Sequence, residues 1–207
     1  MVKLPFWTVK IKIKQGLQSK IRNLVPKRNV TIRALIARFS VERMSVYGYT
    51  LDLLPGHAEI VRHELNIWER FYLPCPIRGK TILDVGGGCG ETAAFFIHHG
   101  ARKVIAIERD PSACKLLISN TIRNHMNIDI FCGAFSLNDL CIPHDFMKMD
   151  IEGGEELLID YAGRIKPCVI EVHDYIKKGL SNALATRFDL NARRFNNNTV
   201  LLSSSDC

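Results

Sequence analysis

Charged residues interrupt an apolar stretch between residues 145 and 155, which reads DFMKMDIEGGE. Lys148 and Asp150 alternate there with apolar residues, which predicts a strand that carries both charges on one face. Two charges on a central strand are costly unless they pair or take part in chemistry. Glu152 follows this strand, and His173 ends a later apolar run, PCVIEVH. We predict that Asp150, Glu152 and His173 surround a reacting group, with His173 or a carboxylate as the base, and that Lys148 takes part by pairing with a neighbouring carboxylate. The alternative is a structural ion pair between Lys148 and Asp150 that has no part in chemistry.

A glycine-rich run, DVGGGCG, begins at Asp84 and indicates a ligand-binding turn. Gly86, Gly88 and Gly90 can take φ values closed to other residues and let the backbone pass close under a bound molecule. An apolar run precedes this turn and a helical pattern follows it, so we predict a strand, a turn and a helix with unpaired N–H groups. The spacing is not GxGxxG, which disfavours a nicotinamide or flavin cofactor.

An acidic residue follows the glycine run at the spacing of a ribose-binding carboxylate. Residues 102–107 (RKVIAI) predict the next strand, which ends at Glu108 and Arg109. A carboxylate about 20 residues beyond a glycine turn is placed to accept both hydroxyl groups of a ribose. We therefore assign Glu108 and the adjacent Arg109 to cofactor binding; the alternative is an ordinary solvated strand end. Asp110 and Pro111 predict the N-cap and first residue of the next helix.

The order of these motifs resembles that of class I methyltransferases, and KxDxEG, ERDP and EVH together resemble their FkbM family. The resemblance extends over about residues 47–173. It implies S-adenosyl-L-methionine as the cofactor, with Asp84 near its methionine part, the glycines beneath it and Glu108 at its ribose. It also implies that the turn at Ala134 and Phe135 contacts the adenine. The implied reaction is O-methylation of a small molecule or a sugar.

The resemblance also implies an α/β, Rossmann-like class I methyltransferase fold: a mostly parallel seven-stranded sheet with an antiparallel last strand and helices on both faces. Helical spacing over residues 57–72 predicts a helix before the first strand of this sheet. A hairpin of residues 187–195 and 199–204 supplies the final strand pair. We expect a basic N-terminal arm over residues 1–46 and the cofactor-binding domain over residues 47–207.

Composition and cysteine usage narrow the class of protein. The content of 47% hydrophobic and 24% charged residues is ordinary for a globular domain. No apolar run approaches the roughly 18 residues of a membrane span, and no signal peptide is recognisable. The seven cysteines are scattered without a CxxC pair, so we expect reduced thiols, a cytoplasmic location and no metal site.

The net charge of +7 is concentrated near the N-terminus, where Glu42 is the single acidic residue up to Arg43. This excess predicts a polyanionic partner, such as RNA, an anionic membrane surface or a phosphorylated substrate. The alternative is the solvated face of two helices, over residues 17–25 and 31–44. Apolar residues also alternate with polar ones over residues 7–14, which predicts an edge strand or a contact between copies of the chain.

Two other functions stay open. One is an RNA methyltransferase acting on tRNA, whose basic arm would bind phosphates and whose RNA affinity would fall steeply with salt. The NPPY-like sequence of base-methylating enzymes is absent from the chain. The other is a non-catalytic module that binds S-adenosyl-L-methionine and never forms S-adenosylhomocysteine.

Overall fold

The structure is a computed structural model that describes residues 11–13, 41–165, 167–195 and 199–204. The strands are β1 (Ile11–Ile13), β2 (Glu42–Val46), β3 (Tyr49–Leu53), β4 (Thr81–Val85), β5 (Lys103–Glu108), β6 (Ile128–Cys132), β7 (Phe146–Met149), β8 (Cys168–His173), β9 (Leu190–Arg194) and β10 (Thr199–Ser204). The α-helices are α1 (Pro55–Glu64), α2 (Trp68–Tyr72), α3 (Glu91–His98), α4 (Pro111–Arg123) and α5 (Leu180–Phe188). Short 3-10 helices span Leu137–Cys141 and Gly154–Asp160.

One large sheet has the strand order β1-β6-β5-β4-β7-β8-β10-β9. The neighbouring strands β1, β6, β5, β4, β7 and β8 of this sheet pair in parallel, whereas β10 is antiparallel to both β8 and β9. The expected seven-stranded sheet with an antiparallel last strand is therefore confirmed. β1 adds an eighth strand at the edge, in line with the alternation noted for the first residues. The rest of that alternating segment lies outside the described residues.

Apolar side chains alternate between the two faces of the sheet and form two cores. On one face, Ile82 and Val104 pack against the helices α1 to α4, for example against Phe95. On the other face, Leu83 and Ile170 pack with the helix α5 and the second 3-10 helix. Both faces of the central strands are covered, as parallel sheets require. Within the described residues, no helix is long and apolar enough to cross a membrane.

The strands β2 and β3 form a separate hairpin on the first face of the sheet. Its turn, Tyr47-Gly48, has positive φ at both residues, as two-residue hairpin turns favour. Residues 42–44 are therefore strand and not the end of the helix expected over 31–44, because alternate residues of β2 face the core. The remainder of that helix, and the one over 17–25, lie outside the described residues. The expected domain boundary at residue 46 falls inside this hairpin.

Asn120 on α4 joins the hairpin to the glycine turn. The backbone N–H of Asp52 donates to the Oδ1 atom of Asn120 over 2.9 Å. The Nδ2 atom of Asn120 donates to the carbonyl oxygens of Asp52 and Cys89, each over 2.9 Å. Since Asn120 is fully buried, all of these bonds are shielded from water.

The helix expected over residues 57–72 is divided into α1 and α2. The chain between them makes a tight turn, in which the N–H of Ile67 donates to the carbonyl oxygen of Glu64. The Tyr47 hydroxyl donates to the carbonyl oxygen of Leu65, a group that a continuous helix would use itself. This side-chain bond and Asn66, a poor residue for a helix interior, account for the break.

A disulfide joins Cys114 on α4 to Cys132 at the end of β6. The expectation of reduced thiols throughout the chain is therefore wrong. The two cysteines are 18 residues apart in sequence, and the packing of α4 brings their Cα atoms to 6.0 Å. The spacing of cysteines in the sequence does not predict this pairing, because the distance between the two residues depends on how α4 packs across the sheet. The expected cytoplasmic location loses one of its supports.

The glycine turn lies against the end of β7. Gly86 has a φ of +83°, and a Cβ atom there would lie 1.8 Å from the carbonyl oxygen of Asp150. The N–H groups of Gly86 and Gly87 donate to the carbonyl oxygen of Ile107, which ties the turn to β5. The predicted strand, turn and helix are confirmed, and the close approach of two backbones explains why glycine stands at residue 86.

Replacing Gly86 by alanine should destabilise the protein far more than the same change at Gly79. Gly79 also has a positive φ, but a Cβ atom added there would meet nothing within 4 Å. We expect Gly79→Ala to cost about 1 kcal/mol from backbone strain alone. Gly86→Ala should cost more than about 3 kcal/mol, because the clash is with backbone that cannot rotate away. Urea unfolding followed by circular dichroism measures both losses. Equal losses in the two variants would contradict this account of the turn.

Candidate functional site

A crevice of about 930 Å³ lies at the carboxyl ends of β4, β5, β7 and β8. This is where open α/β sheets bind ligands, and the volume is within the usual range for small-molecule sites. The structure brings together all of the predicted site residues in its lining except Asp84 and Gly90. Those that line it are Gly86, Gly88, Glu108, Arg109, Ala134, Phe135, Lys148, Asp150, Glu152 and His173.

Glu108 occupies the predicted end of β5 and faces the glycine turn. Its Oε2 atom accepts from the N–H of Gly88 over 2.9 Å, and its Oε1 atom accepts from the N–H of Asp110 over 2.6 Å. Burial raises the pKa of Glu108, and the two N–H groups oppose that rise. The Asp110 side chain accepts from the N–H groups of Ser112 and Ala113, so the predicted N-cap of α4 is confirmed. The cap positions the helix behind Glu108.

Two of the predicted residues lie behind the lining. Asp84 is fully buried, and its Oδ2 atom accepts from the Thr92 hydroxyl over 2.6 Å. Its Oδ1 atom has no hydrogen-bond partner. Burial raises the pKa of Asp84 to about 6, although the Lys148 ammonium opposes the rise. Gly90 is the N-cap of α3, with a φ of 101°. Asp84 and Gly90 therefore flank the glycine turn, in β4 and at the start of α3, without lining the crevice.

Lys148 lies at the centre of the site and is 2% exposed. Its Nζ atom is 3.7 Å from the Oδ1 atom of Asp84 and 3.7 Å from the Oδ2 atom of Asp150. It also donates to the carbonyl oxygen of Gly86 over 3.0 Å. Burial alone would lower the pKa of this ammonium, but the carboxylates outweigh burial and raise it. Lys148 is therefore a fixed positive charge beneath the turn, paired with carboxylates as the sequence predicts.

The other predicted charged residues meet at the ends of β7 and β8. The Nε2 atom of His173 lies 3.8 Å from Glu152 and 3.7 Å from Glu171. Glu171 is a lining residue that the motifs did not single out, and its Oε2 atom accepts from the Tyr72 hydroxyl over 2.8 Å. Burial, together with the Asp150 charge, raises the pKa of Glu171 to about 8. A glutamate within the otherwise apolar run PCVIEVH is the signal that could have identified it.

His57 and Glu91 form a second pair that sequence patterns do not predict. The Nδ1 atom of His57 lies 2.5 Å from the Oε1 atom of Glu91, and the N–H of Cys89 donates to Oε2 over 2.8 Å. Burial raises the pKa of Glu91, but the bond to His57 outweighs burial and the net shift is downward. Burial likewise opposes the protonation of His57, and Glu91 outweighs it, so the pKa of His57 is raised. An ionised pair therefore closes the glycine turn from the side of α1.

Comparison with known proteins gives a consistent class of fold. No protein-family profile matches the chain. Over 109 residues, the chain is 41% identical to the electron transfer flavoprotein beta subunit lysine methyltransferase of Mus musculus. That match covers 51% of this chain and 40% of the mouse protein, so the chain spans less than half of the relative's length.

Solved structures support the same class. The structure of M. jannaschii TYW2 in complex with AdoMet superposes with a TM-score of 0.57 at 15% identity, covering 79% of this chain and 84% of that one. The ribosomal protein L11 methylase from Lactobacillus delbrueckii subsp. bulgaricus superposes with a TM-score of 0.53 at 18% identity, covering 73% and 81%. With the strand order described above, these likenesses show a class I methyltransferase fold.

Replacing Lys148 by methionine should destabilise the protein strongly. The change keeps much of the side-chain volume but leaves Asp84 and Asp150 without their cation, which typically costs about 3 to 5 kcal/mol for a buried pair. Lys177→Met is the matched control, because Lys177 pairs with Glu156 and both side chains are about half exposed. The control should lose less than about 1 kcal/mol. Chemical denaturation measures both, and a small loss in Lys148→Met would show that the ion pair contributes little.

The pair of His57 and Glu91 should make stability depend on pH. The pKa of His57 is raised from 6.5, so its ionic contribution is complete below pH 6.5 and is lost as the pH rises through the raised value. The pKa of Glu91 is lowered from 4.5, so its contribution is complete above pH 4.5 and is lost as the pH falls through the lowered value.

We therefore expect His57→Ala to cost about 1 to 3 kcal/mol at a pH of about 5.5, and less as the pH rises. His63→Ala on the same helix is the control, since its side chain is 71% exposed, and it should change stability by less than about 0.5 kcal/mol. Thermal and urea unfolding across a pH series measures the difference. A gap that stays constant up to high pH would exclude the ionised pair.

Proposed function

We propose that the chain is a methyltransferase that uses S-adenosyl-L-methionine. The observation that carries this proposal is the place of Glu108, whose carboxylate lies in the crevice beside Gly88 and at the predicted distance along the chain. The neighbouring structure of M. jannaschii TYW2, in complex with AdoMet, supports the same cofactor. Glu108 would bind the ribose, with Arg109 next to it.

The residues present fit this cofactor. At Gly88 a Cβ atom would lie 2.4 Å from the Oε1 atom of Glu91 and 2.8 Å from the His57 ring, so the turn accepts only bare backbone there. Gly86 and Gly88 line the crevice, and the N–H groups of residues 86–90 all donate within the protein, so the turn would offer a ligand close approach to its backbone and not free donors. Ala134 and Phe135 line the crevice beyond β6, where they would contact the adenine. Asp84 would act from beneath the turn, through Thr92 and Lys148.

Bound in this way, S-adenosyl-L-methionine supplies a methyl group on a positively charged sulfur. The protein's own task is to align the acceptor, exclude water and remove a proton. Asp150, Glu152 and His173 line the part of the crevice next to the turn and would hold the acceptor. Glu171 joins them as a candidate base that would act in its ionised form, because a carboxylate with a pKa of about 8 takes up a proton more strongly than an ordinary one.

The acceptor that we favour is a hydroxyl group of a small molecule or a sugar. This choice rests on the resemblance to the FkbM family and on a base, His173 or a carboxylate, beside the crevice. A primary amine is the second candidate. The partial match to a lysine methyltransferase favours it, and so do the carboxylates of Glu64 and Glu152 in the lining, which suit a cationic acceptor.

The remaining partners and the location stay predictions. An RNA or other polyanion would bind through residues 1–43, most of which lie outside the described residues. Loss of RNA binding at high salt would support this partner. A non-catalytic module would bind the cofactor without ever forming S-adenosylhomocysteine. Assembly with a second copy and a cytoplasmic location are proposed on the sequence alone.

Calorimetric titration with S-adenosyl-L-methionine and, separately, NAD tests the proposed cofactor. We expect a dissociation constant on the order of micromolar for the former and no binding of the latter. Glu108→Ala should weaken binding at least about tenfold, because it removes a charged acceptor of the ribose hydroxyls. The control is Glu59→Ala, an exposed glutamate on α1 that should leave the affinity unchanged. Preference for NAD, or unaltered affinity in Glu108→Ala, would overturn the proposal.

A further inference from the structure

Three side chains with metal-binding atoms converge at one end of the crevice. Asp150 directly follows β7, His173 ends β8, and Glu152 lies in the turn after Asp150. One ligand atom from each lies within 4.8 Å of the other two. Because β7 and β8 are adjacent parallel strands, their carboxyl ends bring these residues to the same point of the sheet edge.

Two atoms of this group are buried without a hydrogen bond. They are the Oδ1 atom of Asp150 and the Nδ1 atom of His173. His173 is 7% exposed, and its Nε2 atom points at Glu152 and Glu171 over 3.8 and 3.7 Å, beyond hydrogen-bond distance. Buried polar atoms in native proteins are almost always paired. The unpaired Oδ1 atom of Asp150 and the Nε2 atom of His173, which faces two carboxylates without a hydrogen bond to either, therefore point to a missing ligand.

The charge of this end of the crevice also calls for a cation. Asp150 lies 3.7 Å from the Lys148 ammonium, and Glu152 and Glu171 lie 3.8 and 3.7 Å from the His173 ring. Lys148 is also engaged by Asp84, so it does not neutralise the three carboxylates alone. A bound cation would relieve the repulsion between these carboxylates.

Glu152 adopts an unusual backbone conformation at this point. Its φ is +54°, a left-handed value that few residues other than glycine take. Such strain concentrates at functional sites, where it directs a side chain to a particular place. Here the left-handed turn accompanies a Glu152 side chain that reaches His173.

We propose that Asp150, Glu152 and His173 bind one divalent cation of the hard or intermediate type, such as Mg²⁺ or Mn²⁺. Two carboxylates and one imidazole are ligands that such ions accept. The ligands of a six-coordinate ion at about 2.1 Å are about 3 to 4 Å apart, so side-chain rotation closes the present gap. Since all three residues line the crevice, coordination positions that the protein leaves free would be accessible from it. A role for the cation in binding an oxygen atom of the acceptor rests on the proposed function. The existence of the cation site does not.

A second group with ligand atoms in the same range is already satisfied internally. It consists of His57, Cys89 and Glu91. Both oxygens of Glu91 accept hydrogen bonds, from His57 and from the backbone of Cys89. Burial raises the pKa of the Cys89 thiol, which disfavours the thiolate that a metal needs. We therefore expect a hard cation to bind at the proposed site and not at this second group.

Titration of the full chain with Mn²⁺, followed by the electron paramagnetic resonance signal of the free ion, tests the site without any cofactor. We expect about one Mn²⁺ per chain with a dissociation constant below about 1 mM. Glu152→Gln and His173→Gln should each weaken binding at least about tenfold. Glu156→Gln, an exposed carboxylate nearby, and Cys89→Ala in the second group should bind Mn²⁺ like the unaltered chain. Circular dichroism shows that each variant is folded.

The outcomes separate this inference from the proposed function. No uptake of Mn²⁺ by the folded chain, or equal weakening in Glu156→Gln and Glu152→Gln, overturns the metal site. Loss of binding in Cys89→Ala assigns the ion to the second group and also overturns it. Since the titration contains no S-adenosyl-L-methionine, failure of cofactor binding in calorimetry would remove the methyltransferase and leave the cation site standing.

Discussion

A buried ammonium group among carboxylates is the interaction on which the crevice depends. Lys148 stands between Asp84 and Asp150, 3.7 Å from each, and donates to the carbonyl oxygen of Gly86. Because the ammonium is almost wholly removed from water, its charge must be balanced by these neighbours. The glycine turn, β4 and β7 are therefore joined at a single point. The crevice has two halves, one at the glycine turn and one at the ends of β7 and β8, and this junction sets their relative positions.

The two halves differ in how far their polar groups are satisfied. Around the glycine turn, the oxygens of Glu108 and Glu91 all accept hydrogen bonds from nearby groups, so that half is held in one arrangement. At the ends of β7 and β8, Asp150 and His173 each keep a buried atom without a partner. A rigid cradle thus lies beside a region whose carboxylates are only partly balanced by Lys148, an arrangement suited to holding one molecule firmly and receiving another.

Local patterns predict the parts of the site that are close together in the sequence. The glycine turn and Glu108 belong to this class, since strand ends and helix starts have recognisable residues and fixed spacing. The partnership of His57 with Glu91 does not, because it joins residues 34 apart through the packing of α1. Glu171 could have been predicted, because it is a charged residue within an apolar strand. The same reasoning identified Lys148. The complete burial of Asp84 depends on Thr92 and the tertiary packing, to which spacing is blind.

Asn120 gives the hairpin an influence on the glycine turn. One side-chain amide holds the backbone of Asp52 in β3 and the carbonyl oxygen of Cys89 in the turn. Local opening of the hairpin breaks the bonds that keep this amide in place, so the turn loses one of its anchors at the same moment. The two segments, 37 residues apart in the sequence, therefore form one cooperative unit whose amide protons should exchange with solvent together.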